Sequence, residues 1–560
     1  MQNLLKGFLK IKENNMRLIN DTIYKHIECS QIEDKILQTK IVNRLLFITQ
    51  NALAYFAYPS INTKRYIHSL GTMHMAAHMY KNSMLNTNDE TKNKFLKNLK
   101  SSIEEIISDQ KINLSLKETD KYEDKALFEF MIPLKSDASK SIYLITLQAI
   151  RLAGLLHDLG HFPFSHQVEY AMNNIYKTIK TNEATSQKET VFIEFYEKIT
   201  KKGKEVLHEA IGFKLIKLLF TYELNSAHDD YLNLLFQLIK NILDEKKDNH
   251  FDYKVLHSFI NGTIDADRLD YINRDMLASG YISGPMDFIR IAKRVVLIEH
   301  KNKFALSFFD SEIIDIEHML EMRFNLYKKI IFNNKIAATD THLENVILYL
   351  AKNYFKDDNE SNTTDSISML WRFLDEIDLE KRLDIITQLD ENWLITIFKK
   401  EYFKIKNKPL QNINDVKYLK SFEEVLFGKR FYNAIWKNLH ELYNILEFDE
   451  IERYKFRESF GYVTTNTYNK LQAKLDNLCT KNEKDGSFFT FKIVSLNIGI
   501  DSDFTLFDGE KPIKIDAIST IRKRLKKSIL NTVPFYLYSN KENISNEMIV
   551  EIKQILIDCF

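Results

Sequence analysis

The residues able to do chemistry concentrate in four short segments: Arg65-Tyr-Ile-His68, His157-Asp158-Leu-Gly-His161, His208-Glu209, and Asp265-Ala-Asp267-Arg268-Leu-Asp270-Tyr271, followed by Asp275. Neighbouring side chains on a helix diverge by about 100°, so His157 and Asp158 can hold one cation only near a helix end, where both converge. Further ligands must come from elsewhere, and His68 and Asp267 are the natural suppliers. Two imidazoles and two carboxylates make a mixed nitrogen and oxygen shell that suits Fe, Mn, Ni, Co or Zn. Open positions on such a metal can take water and a phosphate oxygen at once.

A single His-Asp pair in a long helical chain is more often a core or surface feature than a metal site. His157 differs because it ends the apolar run LITLQAIRLAGLL, where a buried ionisable pair costs free energy unless a partner neutralises it. The ordered set R-x-x-H, H-D, H-E and D-x-D-R is improbable by chance. His161 follows His157 at the spacing of one helical turn. Asp267, Tyr271 and Asp275 stand at i, i+4 and i+8, so a helix there carries ligand, phenol and carboxylate on one face. His74 and His78 have a spacing that can bind metal, but among small and Met residues they read as a packed helix face. The basic run IRKRLKKSIL at 521–530 reads as a solvated helix face.

The elements that must position these groups are mostly helices. The 560 residues contain only 14 glycines and 7 prolines, far below the usual ~7% and ~5% shares, which disfavours turn-dense all-β folds. Residues 141–172 read as a strongly apolar helix running into HDLGHFPFSHQVEYAM, 208–243 as a helical segment, and 257–295 as helix, Gly-rich turn and helix. Polar Lys/Glu-rich stretches at about 84–125 and 178–206 read as solvated insertions. The segment KDDNESNTTDSI at 356–367 marks a plausible boundary. Strands are expected only in 487–540, before a last helix from about Ser545. The 78 Lys and Arg against 77 Asp and Glu leave a formal charge of +1, so nucleic acid is not indicated as a partner and phosphate attraction must be local. Cys29, Cys479 and Cys559 are too far apart for a metal knuckle and too few for a disulfide framework. Without a membrane-spanning run or a signal-peptide pattern at the N-terminus, a cytoplasmic protein is expected.

RYIHSLG, LAGLLHDLGHFPFSH, LHEAIG and IDADRLDYINRD, in that order, closely resemble the HD-domain deoxynucleoside triphosphate triphosphohydrolases, which include bacterial dGTPases and a vertebrate enzyme that also carries a SAM domain. The upstream RLINDTIYKHIE and RLLFITQNALAYFAYPS extend the resemblance over about Arg17 to Arg323. It implies a helical fold, and with the elements read above the expectation is a mainly α chain: an HD-domain helical core over 1–350, with the two insertions, and a C-terminal helical region over 351–560 ending in a small α+β element. It implies one divalent metal (Mn, Fe, Mg, Co, Ni or Zn) held by His68, His157, Asp158 and Asp267. It also implies hydrolysis of nucleoside triphosphates at the α-phosphorus, releasing nucleoside and intact triphosphate.

By motif position, the resemblance puts Arg65 at the α-phosphate and Arg268, Tyr271 and Arg323 along the phosphate chain. It sets His161 and His166 against the phosphates and makes His208 with Glu169 the His-carboxylate pair near the scissile bond. Either His161 or His208 could protonate the leaving side. Gln50 and Asp275 match positions that hold the 3′-hydroxyl, whereas Asn51 and Ile331 replace the family's 2′-side wall and Phe332 falls at a base-facing position. Gln38, Asn43 and Leu46 do not match the family's nucleotide-activator positions, although Arg17 and Asn20 do in kind. A homo-oligomer is expected. The alternatives are an HD phosphohydrolase acting on another nucleotide or on single-stranded nucleic acid, and a nucleotide sensor that binds without turnover.

Overall fold

Helix α3 (Asp137–Leu156) is apolar on every side and accordingly buried from Ser141 to Leu156. The one charge in that buried stretch, Arg151, is met by Glu33 through Nε to Oε1 at 2.6 Å and Nη2 to Oε2 at 2.7 Å, with Gln148 adding a third bond to the same carboxylate at 2.7 Å. A planar two-point pair of this kind neutralises a buried charge. α3 packs against α1 (Arg65–Asn86), and α1 in turn packs against α8 (Ala266–Ala278). The computed structural model describes residues 17–180, 185–356, 365–374, 379–407, 413–460, 465–483, 487–494, 496, 498–500 and 504–558. Most of the polar boundary segment at 356–367, and Cys559, lie outside them.

The fold is mainly helical, as the sequence implies, with small sheets at its margins. Around the central trio lie α2 (Asp89–Asp109), α4 (His166–Lys180), α5 (Gln187–Ile199), α6 (Leu207–Leu218), α7 (Asp230–Leu243), α9 (Ile313–Leu326), α10 (Asn334–Lys356) and α11 (Glu391–Lys406). The Lys/Glu-rich α2 is solvated on one face only; Phe95, Leu96, Leu99 and Ile103 bury the other. α5 starts at a capping box in which Ser186 and Glu189 satisfy each other's backbone amides.

Two antiparallel hairpins lie outside the expected strand region: β1 (Arg17–Asp21) with β2 (Lys25–Cys29), and β3 (Val295–His300) with β4 (Lys303–Phe309). The second closes on Lys301 and Asn302, both at positive φ (51° and 59°), the two-residue turn whose twist suits a hairpin. The strands expected at 487–540 divide between two sheets. β9 (Phe535–Ser539) lies between β6 (Phe489–Ile493) and the short β5 (Asn433–Ala434) and pairs antiparallel with both. β7 (Thr505–Phe507) and β8 (Pro512–Lys514) instead extend the β3–β4 hairpin, with β7 parallel to β4. The basic run forms α12 (Ile521–Ile529), and α13 (Asn546–Ile557) begins after the Ser545 cap. A second apolar core forms around Trp436, Leu475, Phe535 and Ile552, and α10 reaches it through Ala337 and Ala338.

The apolar helix does not run on to residue 172. α3 ends at Leu156 with His157 as its cap, and α4 starts at His166. Between them Gly160 and Pro163 break the helix, Phe164 and Ser165 take positive φ (58° and 53°), and Arg44 occupies the freed carbonyls of Leu159 (2.6 Å) and His161 (2.9 Å). His161 is therefore in a loop and not one helical turn from His157. The loop can lie so close to α6 only because residue 160 is glycine: a Cβ there would stand 1.9 Å from the His208 carbonyl oxygen and 2.4 Å from the Gly212 nitrogen. Because both obstacles are backbone, Gly160→Ala should destabilise the chain by about 1–3 kcal/mol, the usual cost of overpacking, read as a lower urea midpoint; an unchanged midpoint would contradict this packing.

Candidate active site

α1 begins at Arg65, so His68 stands in its first turn, wholly buried. His68 Nδ1 lies 2.8 Å from Asp270 Oδ2, which leaves Nε2 as the nitrogen turned toward the cavity. Arg274 grips Asp270 with Nε on Oδ2 at 3.0 Å and Nη2 on Oδ1 at 2.7 Å, and reaches Asp21 Oδ2 with Nη1 at 2.8 Å. α8 can bring Asp270 against α1 because residue 71 has no Cβ, which would stand 1.8 Å from Asp270 Oδ1. His157 Nδ1 bonds the Gly154 carbonyl at 2.8 Å, so its Nε2 also faces inward. Asp265 caps α8 by accepting the Arg268 amide at 2.6 Å, which sets Asp267 in the first turn beside both imidazoles.

His68 Nε2 lies 2.9 Å from Asp267 Oδ1 and 3.5 Å from Asp158 Oδ2. His157 Nε2 lies 3.4 Å from Asp158 Oδ1 and 3.6 Å from Asp267 Oδ1. Neither nitrogen makes an aligned hydrogen bond, and both are buried. Two unpartnered imidazole nitrogens converging on two carboxylates, each imidazole oriented from behind, fit one divalent cation. Burial opposes charge on His68, yet the carboxylates of Asp267 and Asp270 on either side outweigh it, and its pKa is pushed up to about 10. The pocket thus calls for positive charge. Burial also opposes ionisation of Asp158, but Arg65, His157 and His161 hold its carboxyl well below the usual range.

A second tier of imidazoles lies beside the first. His161 stacks on His208 with ring centres 4.1 Å apart and planes 15° apart, and His166 stands edge-on to both. Glu169 accepts from His208 Nδ1 at 2.8 Å and from the Leu207 amide at 3.0 Å, holding the start of α6. Burial keeps His161 neutral, reinforced by the charge of Arg65 and by His208. His166 is half exposed at the rim.

These groups face a cavity of about 440 Å³. Gln50, Arg65, His157, Asp158, His161, His166, His208, Asp267, Arg268, Tyr271, Asp275 and Arg323 all line it, as do Asn51 and Ile331. His68 lies beneath its wall, and Glu169 stands behind His208. Phe332 does not line the cavity. Gln50 Oε1, Asn51 Nδ2 and Asp275 Oδ1 are buried there without aligned partners. Burial raises the Asp275 pKa to about 6, against the opposing effect of Asn51. His74 and His78 face each other elsewhere, Nε2 to Nε2 at 3.1 Å, and burial pushes both pKa values down, as in a packed pair.

Several residues that hold the site were given no role from sequence. Asp270 and Arg274 orient His68, Ser165 bonds Arg65 Nε at 2.8 Å, and Glu391 on α11 accepts the amides of Thr49 (2.6 Å) and Phe164 (3.3 Å). Asp270 had a signal, since it lies one turn from Asp267 within the same motif. Glu391 had none, because its partners lie more than 200 positions away.

No family model matches the chain. An uncharacterized protein of Methanocaldococcus jannaschii is 23% identical over 333 residues, which covers 60% of this chain and 49% of that protein. The deoxynucleoside triphosphate triphosphohydrolase SAMHD1 of Homo sapiens is 21% identical over 408 residues, covering 72% of this chain and 54% of that one. The chain thus spans about half the length of these curated relatives. In fold it is similar to the crystal structure of a phosphohydrolase from Bacteroides thetaiotaomicron, with a TM-score of 0.55 at 18% identity over 94% of this chain and 100% of that one. Over much of its length, then, the chain is a distant homologue of the SAMHD1 dNTP triphosphohydrolases and of HD-domain phosphohydrolases.

Proposed function

We propose that the chain is a metal-dependent phosphohydrolase that cleaves nucleoside triphosphates at the α-phosphorus, releasing nucleoside and inorganic triphosphate. The observation that carries this reading is one cavity where the cluster of His68, His157 and Asp158, with Asp267 within 3.6 Å of both imidazoles, meets three guanidinium groups, Arg65, Arg268 and Arg323. A centre for one metal ion needs no such row of cations beyond it; a chain of phosphates does. The sequence similarity to the SAMHD1 triphosphohydrolases supports the same substrate class.

His68, His157, Asp158 and Asp267 would hold the metal, which when bound supplies Lewis acidity at a phosphoryl oxygen and lowers the pKa of water. Arg65, already paired to Asp158 and braced by Ser165, places its charge at the scissile phosphate. Arg268 and Arg323 take the rest of the polyphosphate. Of the two candidate acids, His208 is better suited than His161. Glu169 accepts the His208 Nδ1 proton, leaving Nε2 to deliver its proton to the departing 5′-oxygen. The neutral His161 instead orients His208 by stacking. Gln50 and Asp275, with polar atoms unpartnered in the wall, take the 3′-hydroxyl.

Incubating the metal-loaded chain with each dNTP and NTP should release inorganic triphosphate, and His157→Ala and Asp158→Ala should each lose metal and turnover while keeping most helicity. Release of pyrophosphate or orthophosphate instead, or full metal occupancy in both variants, would contradict the assignment. The sugar gives a second test. A substrate lacking the 3′-hydroxyl strands buried polar groups and should lose about 1–3 kcal/mol for each. An apolar wall rejects an added hydroxyl by only about 10²-fold, and Asn51 offers it a partner, so discrimination between dGTP and GTP should stay below about 10³-fold. Comparing kcat/KM for dGTP, GTP and 2′,3′-dideoxy-GTP decides both points. Equal rates with and without the 3′-hydroxyl would remove the roles of Gln50 and Asp275, and a larger dNTP preference would remove that of Asn51.

A further inference from the structure

Arg323, on α9, lines the cavity, and its orientation is set by a segment 175 residues away in the chain. Its Nε donates to the Ile498 carbonyl at 2.6 Å. Its guanidinium lies 5.8 Å from the Tyr271 ring centre and 5.4 Å from that of Tyr327. Nη1 is buried without a partner. Nη2 passes so close to Gly499 that a Cβ at that position would stand 2.6 Å from it, with Arg268 Nη2 3.7 Å away. Gly499 has φ of +64°, a conformation in which glycine carries no steric penalty.

The segment is itself anchored. Arg522 Nε donates to the Ile500 carbonyl at 2.9 Å, and Arg522 Nη1 pairs with Asp516 at 3.3 Å. Ser519 and Arg524 reach Glu317 and Glu321 on α9 itself, and β7 pairs with β4 immediately before that helix.

We infer that the Ile498 carbonyl and Gly499 form a positioning element that aims Arg323 at the polyphosphate of the substrate, making the C-terminal region part of the substrate-binding machinery. This rests on the triphosphate reading above. The carbonyl fixes the guanidinium through Nε and leaves both Nη groups for anionic oxygens, and the missing Cβ clears the path of Nη2. The atom a Cβ would meet is the far end of a long side chain, so Gly499→Ala should move the guanidinium and spare the fold.

The test measures dGTP kinetics, metal content and calorimetric affinity for inorganic tripolyphosphate on the full chain and its variants. Gly499→Ala should weaken tripolyphosphate binding and raise KM by about tenfold, with kcat within about twofold and metal content unchanged. Gly499→Asn, which tolerates the positive φ yet carries the same Cβ, should do the same. Gly509→Ala, also at positive φ (+101°) but with nothing within 4 Å of its Cβ, should change neither. In an Arg323→Ala background the Gly499→Ala effect should vanish, since the two act as one unit. Unaltered KM and affinity in both Gly499 variants, or a loss that persists without Arg323, would overturn the inference. Tripolyphosphate binding that is lost on Gly499→Ala, in a chain that hydrolyses no nucleotide, would uphold the inference and sink the reading beneath it. An unsubstituted chain that binds no tripolyphosphate would overturn both.

Discussion

His68 is a wholly buried imidazole between two carboxylates, Asp270 on one nitrogen and Asp267 on the other, and the surrounding structure is arranged to make that placement stable. Isolated charges so far from water would be strongly destabilising. They persist because each is answered. Arg274 neutralises Asp270 through two bonds and ties it to Asp21 on the β1 hairpin. Arg65 neutralises Asp158. The glycine at 71 lets α1 and α8 approach closely enough for the pair to form, and the Asp265 cap fixes where α8 begins. What remains after this accounting is a set of nitrogens and oxygens facing one point with a deficit of positive charge, which suits a divalent cation.

The same accounting separates two zones of the cavity. On the inner side the acids Asp158 and Asp267 share the imidazoles. On the outer side Arg268, 3.5 Å from Asp265, and Arg323, held by the Ile498 carbonyl, bring two further guanidinium groups to the cavity. A polyanion bound there meets its counter-charges without disturbing the inner pairs. Between the zones, Arg65 serves both, since one guanidinium nitrogen rests on Asp158 and another on Ser165. The stacked His161 and His208 then lie against the point where the two zones meet, with Glu169 behind them.

Much of the site was legible because its chemistry is written in short motifs. The HD pair ending an apolar run, the R-x-x-H segment and the i, i+4, i+8 series on α8 all reach one cavity. Helical spacing misled once: His161 has the spacing of a helical turn from His157, but Gly160 and Pro163 end the helix and Arg44 takes over the carbonyls. The supports were harder to read. Arg44, Glu391 and the 498–500 segment act across more than a hundred positions, and no local pattern marks a carbonyl that will receive a guanidinium. The β3–β4 hairpin escaped because its turn is Lys-Asn, without the glycine that usually announces one. The late strands were legible as strands, but not that β7 and β8 would join a sheet formed near residue 300.

Asp270 and Arg274 preorganise the candidate metal site from behind. The metal affinity of Asp270→Asn, measured by equilibrium competition with a chelator at constant pH alongside circular dichroism, reports on that support. Asparagine keeps the size and one acceptor but removes the charge that Arg274 and His68 both require. The affinity should be about 10–100-fold weaker than that of the unsubstituted chain, with the helical content retained. An affinity equal to that of the unsubstituted chain would contradict it.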